Sequence, residues 1–145
     1  MAEAPAARIR LGMVGDGRGA FIGAVHRIAA RLDDRFELVA GCFGATPQAS
    51  HASGADLGRP SDRVYDDFAA MAKREARLKG GIEAVAIVTP NHLHASVAKP
   101  FLSRGIHVIC DKPMTATLAE ARTLTALAER SQALFLLTYT YSGYP

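Results

Sequence analysis

The stretch Gly15-Asp16-Gly17-Arg18-Gly19-Ala20-Phe21-Ile22-Gly23 has the make-up of a turn that binds phosphate. A pyrophosphate needs backbone N–H groups at close range, and glycines both permit the tight turn and remove the side chains that would block it. Glycines also collect in ordinary surface turns, so the composition alone decides little. Position decides. An apolar run, Ile9 to Val14, comes directly before the turn, and a segment of helical character opens within it. That is the setting of the first strand–helix unit in a dinucleotide-binding fold. Two later segments also carry reactive side chains: Thr89-Pro90-Asn91-His92-Leu93-His94 and Asp111-Lys112-Pro113. A lysine beside a reacting hydroxyl can stabilise developing negative charge or relay its proton. The plainer readings are a loop and helix start for the two histidines, with no metal, and a surface ion pair for Asp111 and Lys112.

The elements around these segments predict how they are held. Short, nearly continuous apolar runs recur at Ile9–Val14, Phe36–Phe43, Ala84–Thr89, Ile106–Cys110 and Leu134–Thr138, the pattern of strands covered on both faces. Val64 and Tyr65 mark a weaker sixth. Between the runs lie four helical segments. Ala20–Leu32 repeats its apolar residues every 3.6 positions; Asp66–Leu78 turns Phe68, Met71 and Ala72 inward. His92–Arg104 ends before Gly105, a glycine C-cap, and Thr117–Arg130 opens with the capping-box pair Thr117 and Glu120. Alternating strands and helices predict a doubly wound, mostly parallel α/β sheet with helices on both faces. The stretch from Gly44 to Pro60, rich in Gly, Ala, Ser and Pro, reads as an irregular loop. All three segments with chemistry follow predicted strands, where ligands bind in open α/β sheets.

At 145 residues the chain is one domain by size, read here as a dinucleotide-binding domain over 8–145. A net charge of +3 gives no footprint for nucleic acid, and Lys73, Arg74, Arg77 and Lys79 read as a solvated helix face. No apolar run approaches the roughly 20 residues of a membrane span. The first seven residues carry no export signal, so the expected location is the cytoplasm. Cys42 and Cys110 each sit in an apolar run and read as buried core thiols.

Taken together, Gly15 and Gly17, Thr89-Pro90-Asn91 with His94, and Asp111-Lys112-Pro113 resemble, in order and spacing, the Gfo/Idh/MocA oxidoreductase family. The likeness runs from Ile9 to the Tyr139 region. Gly19-Ala20-Phe21-Ile22-Gly23 with His26, and the closing Thr140-Tyr141-Ser142-Gly143-Tyr144-Pro145, are similar to a sugar-dehydrogenase-like branch. The resemblance implies a tightly bound nicotinamide cofactor and a sugar, polyol or related hydroxy substrate. It also places Lys112 near the nicotinamide ribose and the substrate, as the catalytic residue of this chain. The expected cofactor contacts are Gly15, Asp16, Gly17, Arg18, Phe21, Ile22, Thr46, Thr89, Pro90, Asn91, His94, Asp111 and Lys112, with no metal. Three departures stand out. The family's Glu-Lys-Pro is Asp111-Lys112-Pro113 here, with a shorter carboxylate. Gly17 and Gly23 have five residues between them instead of two, leaving Gly23 or Ala20 to fill the third glycine's place. The second strand ends in Phe43-Gly44-Ala45-Thr46 with no acid to grip a ribose, so NADP is slightly favoured over NAD, with Thr46 or Gln48 as a donor.

A nicotinamide-dependent oxidoreductase is the first expectation. A module that binds NAD(P) as a sensor or scaffold is the second. A methyltransferase, lacking its ribose carboxylate and any use for Lys112, is a distant third. The resemblance assigns substrate binding and the acid/base residue to a C-terminal domain not contained in these residues. The chain by itself is therefore expected to bind nucleotide without turning over, and the full-length protein to be a homo-oligomer.

Overall fold

The computed structural model describes residues 7–144. The expectation about the leading residues falls on 1–6, and Pro145 closes the expected domain; both lie outside the described part. Strands β1 (Ile9–Gly15), β2 (Phe36–Cys42), β3 (Ala84–Val88), β4 (His107–Asp111) and β5 (Phe135–Thr138) form one parallel sheet in the order β2-β1-β3-β4-β5. Each falls on a predicted apolar run. β3 lies at the centre and is buried at every position, as a strand covered on both faces must be. The chain moves outward from β1 to β2, then crosses back to β3. The C-terminal ends of β1 and β3 therefore flank the point where direction reverses, and a crevice opens there. Val64 and Tyr65 add only an isolated parallel bridge to Gly41.

Helices α1 (Ile22–Leu32), α2 (Pro47–Asp56), α3 (Phe68–Glu75), α4 (His94–Leu102) and α5 (Leu118–Arg130) complete a three-layer Rossmann-type arrangement. α3, α4 and α5 bury Met71, Ala72, Val97, Phe101, Leu102 and Leu124 against one sheet face, while α1 lies on the other. The cap signals hold. Thr117 Oγ1 accepts from the Glu120 N–H, and Glu120 reaches back to the Thr117 N–H. Gly105, at φ +76, ends α4 in a Schellman motif: its N–H bonds Leu102 O, and that of Ile106 bonds Phe101 O. Residues 91–93 form a separate 3-10 turn, so α4 begins at His94 instead of His92.

A further expectation is corrected. The stretch from Gly44 to Pro60 contains α2, started by Thr46 as N-cap and Pro47 in its first turn. It has no apolar stripe because what it buries is small: Ser50, Ser53 and Gly54. Ser50 Oγ accepts from the Phe43 N–H and donates to Tyr65 O, pinning α2 to the end of β2. A Cβ on Gly54 would press on Val64, so the helix lies closer than ordinary side chains allow. The 3.6-residue repeat of α1 is present, yet Phe21, Val25, Ile28 and Leu32 face outward. The face turned to the sheet carries Gly23 and Ala30, because the helix start packs tightly onto the turn before it.

Cys42 and Cys110 are buried and free, and burial pushes their thiols up to about 11 and about 12. Lys73, Arg74, Arg77 and Lys79 are all exposed. Among the described residues no helix is long and apolar enough to cross a membrane, and no cluster of three or more His, Cys, Asp or Glu side chains could hold a metal ion.

Candidate functional site

The crevice at the C-terminal edge of the sheet is a cleft of about 450 Å³ between the ends of β1, β2 and β3. β1 ends at Gly15, whose φ is +102; a Cβ there would stand 2.8 Å from the Val88 carbonyl. Only glycine lets the chain leave β1 that close to β3. Gly17 forms the next part of the wall, and a Cβ on it would approach Phe43 O at 3.1 Å. A turn closed by the Ala20 N–H on Gly17 O leads into α1. α1 begins without a side-chain cap and without an acid in its first turn. Its first N–H groups and the positive end of its dipole are therefore free for an anion. Glycine walls and an uncapped helix start together fit a pyrophosphate.

Gly23 is the buried residue at the start of α1. A Cβ there would strike the Asp16 carboxylate, which lies under the turn against the Arg27 guanidinium. Asp16 is 8% exposed, with φ 70, so its side chain supports the turn from beneath while its backbone borders the cleft. Arg18 holds Asp56 of α2 through two hydrogen bonds of 2.6 and 2.9 Å, tying the turn to the end of that helix. Phe21 is exposed at the start of α1, and Ile22 packs into the core beside it.

At the β2 end, Thr46 Oγ1 is taken up in capping α2 through the Ala49 N–H. The cleft there is walled by Phe43, Gly44 and Ala45, and by Asp66 and Asp67 from the segment before α3. Sequence reading missed these two carboxylates, because it looked for an acid only where β2 ends, at Phe43-Gly44-Ala45-Thr46. Asp67 caps α3 through the Ala70 N–H at 2.7 Å, and Asp66 lies 3.0 Å from His51 Nε2 of α2.

At the β3 end, Thr89 and Pro90 line the cleft, and the Thr89 hydroxyl is buried without a partner among the described residues. Asn91 and His92 are exposed in the 3-10 turn. His94 is fully buried, with Nδ1 2.7 Å from Pro113 O and Nε2 2.9 Å from Thr89 O. Its ring is thus committed to two backbone carbonyls beneath the cleft, instead of presenting a nitrogen to a ligand.

β4 delivers Asp111 and Lys112 to the same edge. The surface ion pair between them is not formed. Asp111 Oδ1 accepts from Thr138 Oγ1 at 2.9 Å and lies 3.6 Å from His26 Nε2, while Lys112 is exposed. In the sequence His26 stood out only beside the glycine turn, and Thr138 only as a strand residue. No local pattern joins them to Asp111.

Comparison with known proteins agrees with this geometry. Residues 9–139 match the Gfo/Idh/MocA family model, described as an oxidoreductase family with an NAD-binding Rossmann fold. An oxidoreductase structure from Sinorhizobium meliloti is 66% identical, with TM-score 0.92, over 96% of this chain and 39% of that one. An inositol dehydrogenase homolog from Azotobacter vinelandii, solved with NADH and myo-inositol, is 41% identical with TM-score 0.90, over 95% of this chain and 36% of the other. The uncharacterized oxidoreductase YfiI of Bacillus subtilis is 40% identical over 136 residues, 93% of this chain and 35% of its own. The chain thus spans little more than a third of the length of these relatives. By the glycine turn, the β3 and β4 exits and the match over 9–139, it belongs to the Gfo/Idh/MocA oxidoreductase family, of which it forms the NAD-binding Rossmann domain.

Proposed function

We propose that these residues are the cofactor-binding half of a dehydrogenase that moves hydride between a nicotinamide dinucleotide and a sugar, polyol or related hydroxy compound. The observation that carries this is the placement of the uncapped α1 start and the exposed Lys112, unpaired among the described residues, at one edge of one sheet. When bound, the cofactor supplies the hydride acceptor or donor. The chain's own residues orient it. Gly15 and Gly17 would give the pyrophosphate its approach, Thr89 and Pro90 would line the cleft beside it, and Lys112 would supply a positive charge at the same sheet edge. The polyol class rests on the Azotobacter relative, solved with NADH and myo-inositol. Lys112 favours this reading over a sensor module, which has no need of an ammonium there. The proposal extends to a homo-oligomer working in the cytoplasm, with the exposed stripe Phe21, Val25, Ile28 and Leu32 as a face for protein to cover.

Cofactor choice is the finer question. The absence of an acid at the end of β2, in Phe43-Gly44-Ala45-Thr46, speaks for NADP, but Asp66 and Asp67 bring negative charge to the same end of the cleft. Arg18, the cation of the turn, is already neutralised by Asp56. A 2′-phosphate meets repulsion there without compensation, so we assign NAD. Titration of NADH and NADPH by nicotinamide fluorescence tests both levels. NADH is expected to bind at least about tenfold tighter, a difference of about 1.4 kcal/mol. Equal or tighter NADPH binding overturns the choice of NAD, and no binding of either overturns the domain assignment.

Lys112→Ala tests the catalytic part. In the full-length protein, with myo-inositol and NAD, turnover should fall by about a hundredfold or more, the scale of a lost proton-transfer group. NAD affinity should change only a few-fold. Turnover within a few-fold of the parent would return Lys112 to the role of a surface charge.

A further inference from the structure

We propose that His94 is a positioning residue: it ties the exit of β3 to the exit of β4 and thereby fixes where Lys112 stands. This rests on the dinucleotide reading above. The β3–β4 ladder pairs residues only as far as Ile87 and Cys110. Beyond it, Thr89-Pro90 and Lys112-Pro113 leave the sheet with no mutual backbone hydrogen bond among those of the described residues. The His94 imidazole lies between the two exits. Its Nδ1 is 2.7 Å from Pro113 O and its Nε2 is 2.9 Å from Thr89 O, with the ring fully buried. A ring carrying both N–H groups serves both carbonyls at once; a ring with one serves whichever its tautomer faces. Either way the contact is a tertiary cross-link where the strand ladder has stopped.

The other flank of Lys112 is fixed as well. Asp111 still pairs with Thr138 in the β4–β5 ladder, and its carboxylate accepts from Thr138 Oγ1 at 2.9 Å. Lys112 is therefore an exposed residue of a segment held on one side by Thr138 and on the other by His94. Its stem is long and flexible, so the place of its ammonium depends on a fixed backbone. His94 touches neither the cleft surface nor any reacting atom. It acts through the Pro113 carbonyl.

The two arms of the ring can be separated. Asparagine places an amide N–H near Nδ1, and glutamine places one near Nε2. His94→Gln thus keeps the link to Thr89 and loses that to Pro113; His94→Asn does the reverse. The probes are NADH, which reaches the Lys112 end of the cleft, and ADP, which carries only the adenosine and pyrophosphate. His94→Gln should weaken NADH by about tenfold, the worth of one buried hydrogen bond, with ADP affinity unchanged within about twofold. His94→Asn should restore NADH affinity to within about threefold of the parent. Parent-like NADH binding in His94→Gln, or parallel losses of NADH and ADP in both variants, would overturn the proposal and leave a merely structural histidine. Should both variants fail to fold, amide exchange on the parent decides. NADH, but not ADP, should slow exchange in 89–95 and 110–115 together; protection of the first segment without the second is a contrary result. A parent that binds neither probe defeats the dinucleotide reading itself.

Discussion

Gly17→Val is expected to abolish measurable NADH binding while leaving the domain folded. The backbone of Gly17 is not in the left-handed region, and a Cβ on it meets Phe43 O at 3.1 Å and Gly44 Cα at 3.9 Å, so the wall need give by only a few tenths of an ångström. A valine there is tolerated by the backbone but projects a branched side chain into the space that the pyrophosphate must enter. The affinity should fall by about a hundredfold or more, equivalent to about 2.8 kcal/mol or above. Circular dichroism and a thermal melt should show a native fold with Tm within a few degrees of the parent. Gly15 gives the contrast. At φ +102 and with Val88 backbone 2.8 Å from a Cβ, Gly15→Ala strains the sheet edge itself and should lose stability as well as binding. Calorimetric titration of Gly17→Val at parent-like affinity would mean that the turn does not hold the pyrophosphate.

Glu75→Ala should produce the largest loss of stability. Its carboxylate is fully buried and accepts two hydrogen bonds from Arg63, at 2.9 and 2.8 Å, one from Tyr65 Oη at 2.5 Å, and one from the Ile82 N–H at 3.0 Å. Burial, and next the hydrogen bond to Glu75, push the Tyr65 hydroxyl up to about 12, so it remains a donor at neutral pH. This one carboxylate joins the turn before α3, the end of α3 and the entry to β3. Truncation strands the largely buried Arg63 charge together with two unpaired donors. The cost should be about 3–5 kcal/mol, as for other buried pairs broken on one side. For a domain of this size that lowers Tm by about 10–20 °C. Glu75→Gln keeps an acceptor oxygen and should fall between. Glu75 lies at the edge of the sheet opposite the cleft, so at a temperature where the variant is folded its NADH affinity should match the parent's. A Tm shift below about 3 °C would show that solvent or rearrangement satisfies Arg63 without the carboxylate.

The sequence by itself determined what depends on neighbours along the chain. Its apolar runs became the five strands because a strand buried on both faces must be apolar at nearly every position, and β3, Ala84–Val88, is so throughout. The Thr117–Glu120 box and Gly105 marked helix ends because capping is a matter of residues a few positions apart. The glycine turn was legible for the same reason. α2 was lost, although Thr46 and Pro47 announced it, because a helix that buries Ser50, Ser53 and Gly54 has no apolar period to read. Which face of α1 meets the sheet could not be read either: the apolar stripe is real, and the tight packing of Gly23 against Asp16 turns it outward.

The site divides along the same line. Lys112, Gly15, Gly17 and Thr89 follow predicted strands, and strand ends in a parallel sheet converge on one edge, so sequence order alone brought them together. Side-chain direction was decided only by the tertiary structure. Asp16 turns under the loop to Arg27, Arg18 reaches across to Asp56, and Thr46 is spent on a helix cap. His94 binds two carbonyls from loops that the sheet places side by side, and Asp66 and Asp67 reach the β2 end from another segment of the chain. These partners are far apart in sequence and follow no local period. Each pairing is set by which strand lies beside which, and by the need of a buried polar group for a partner wherever the fold provides one.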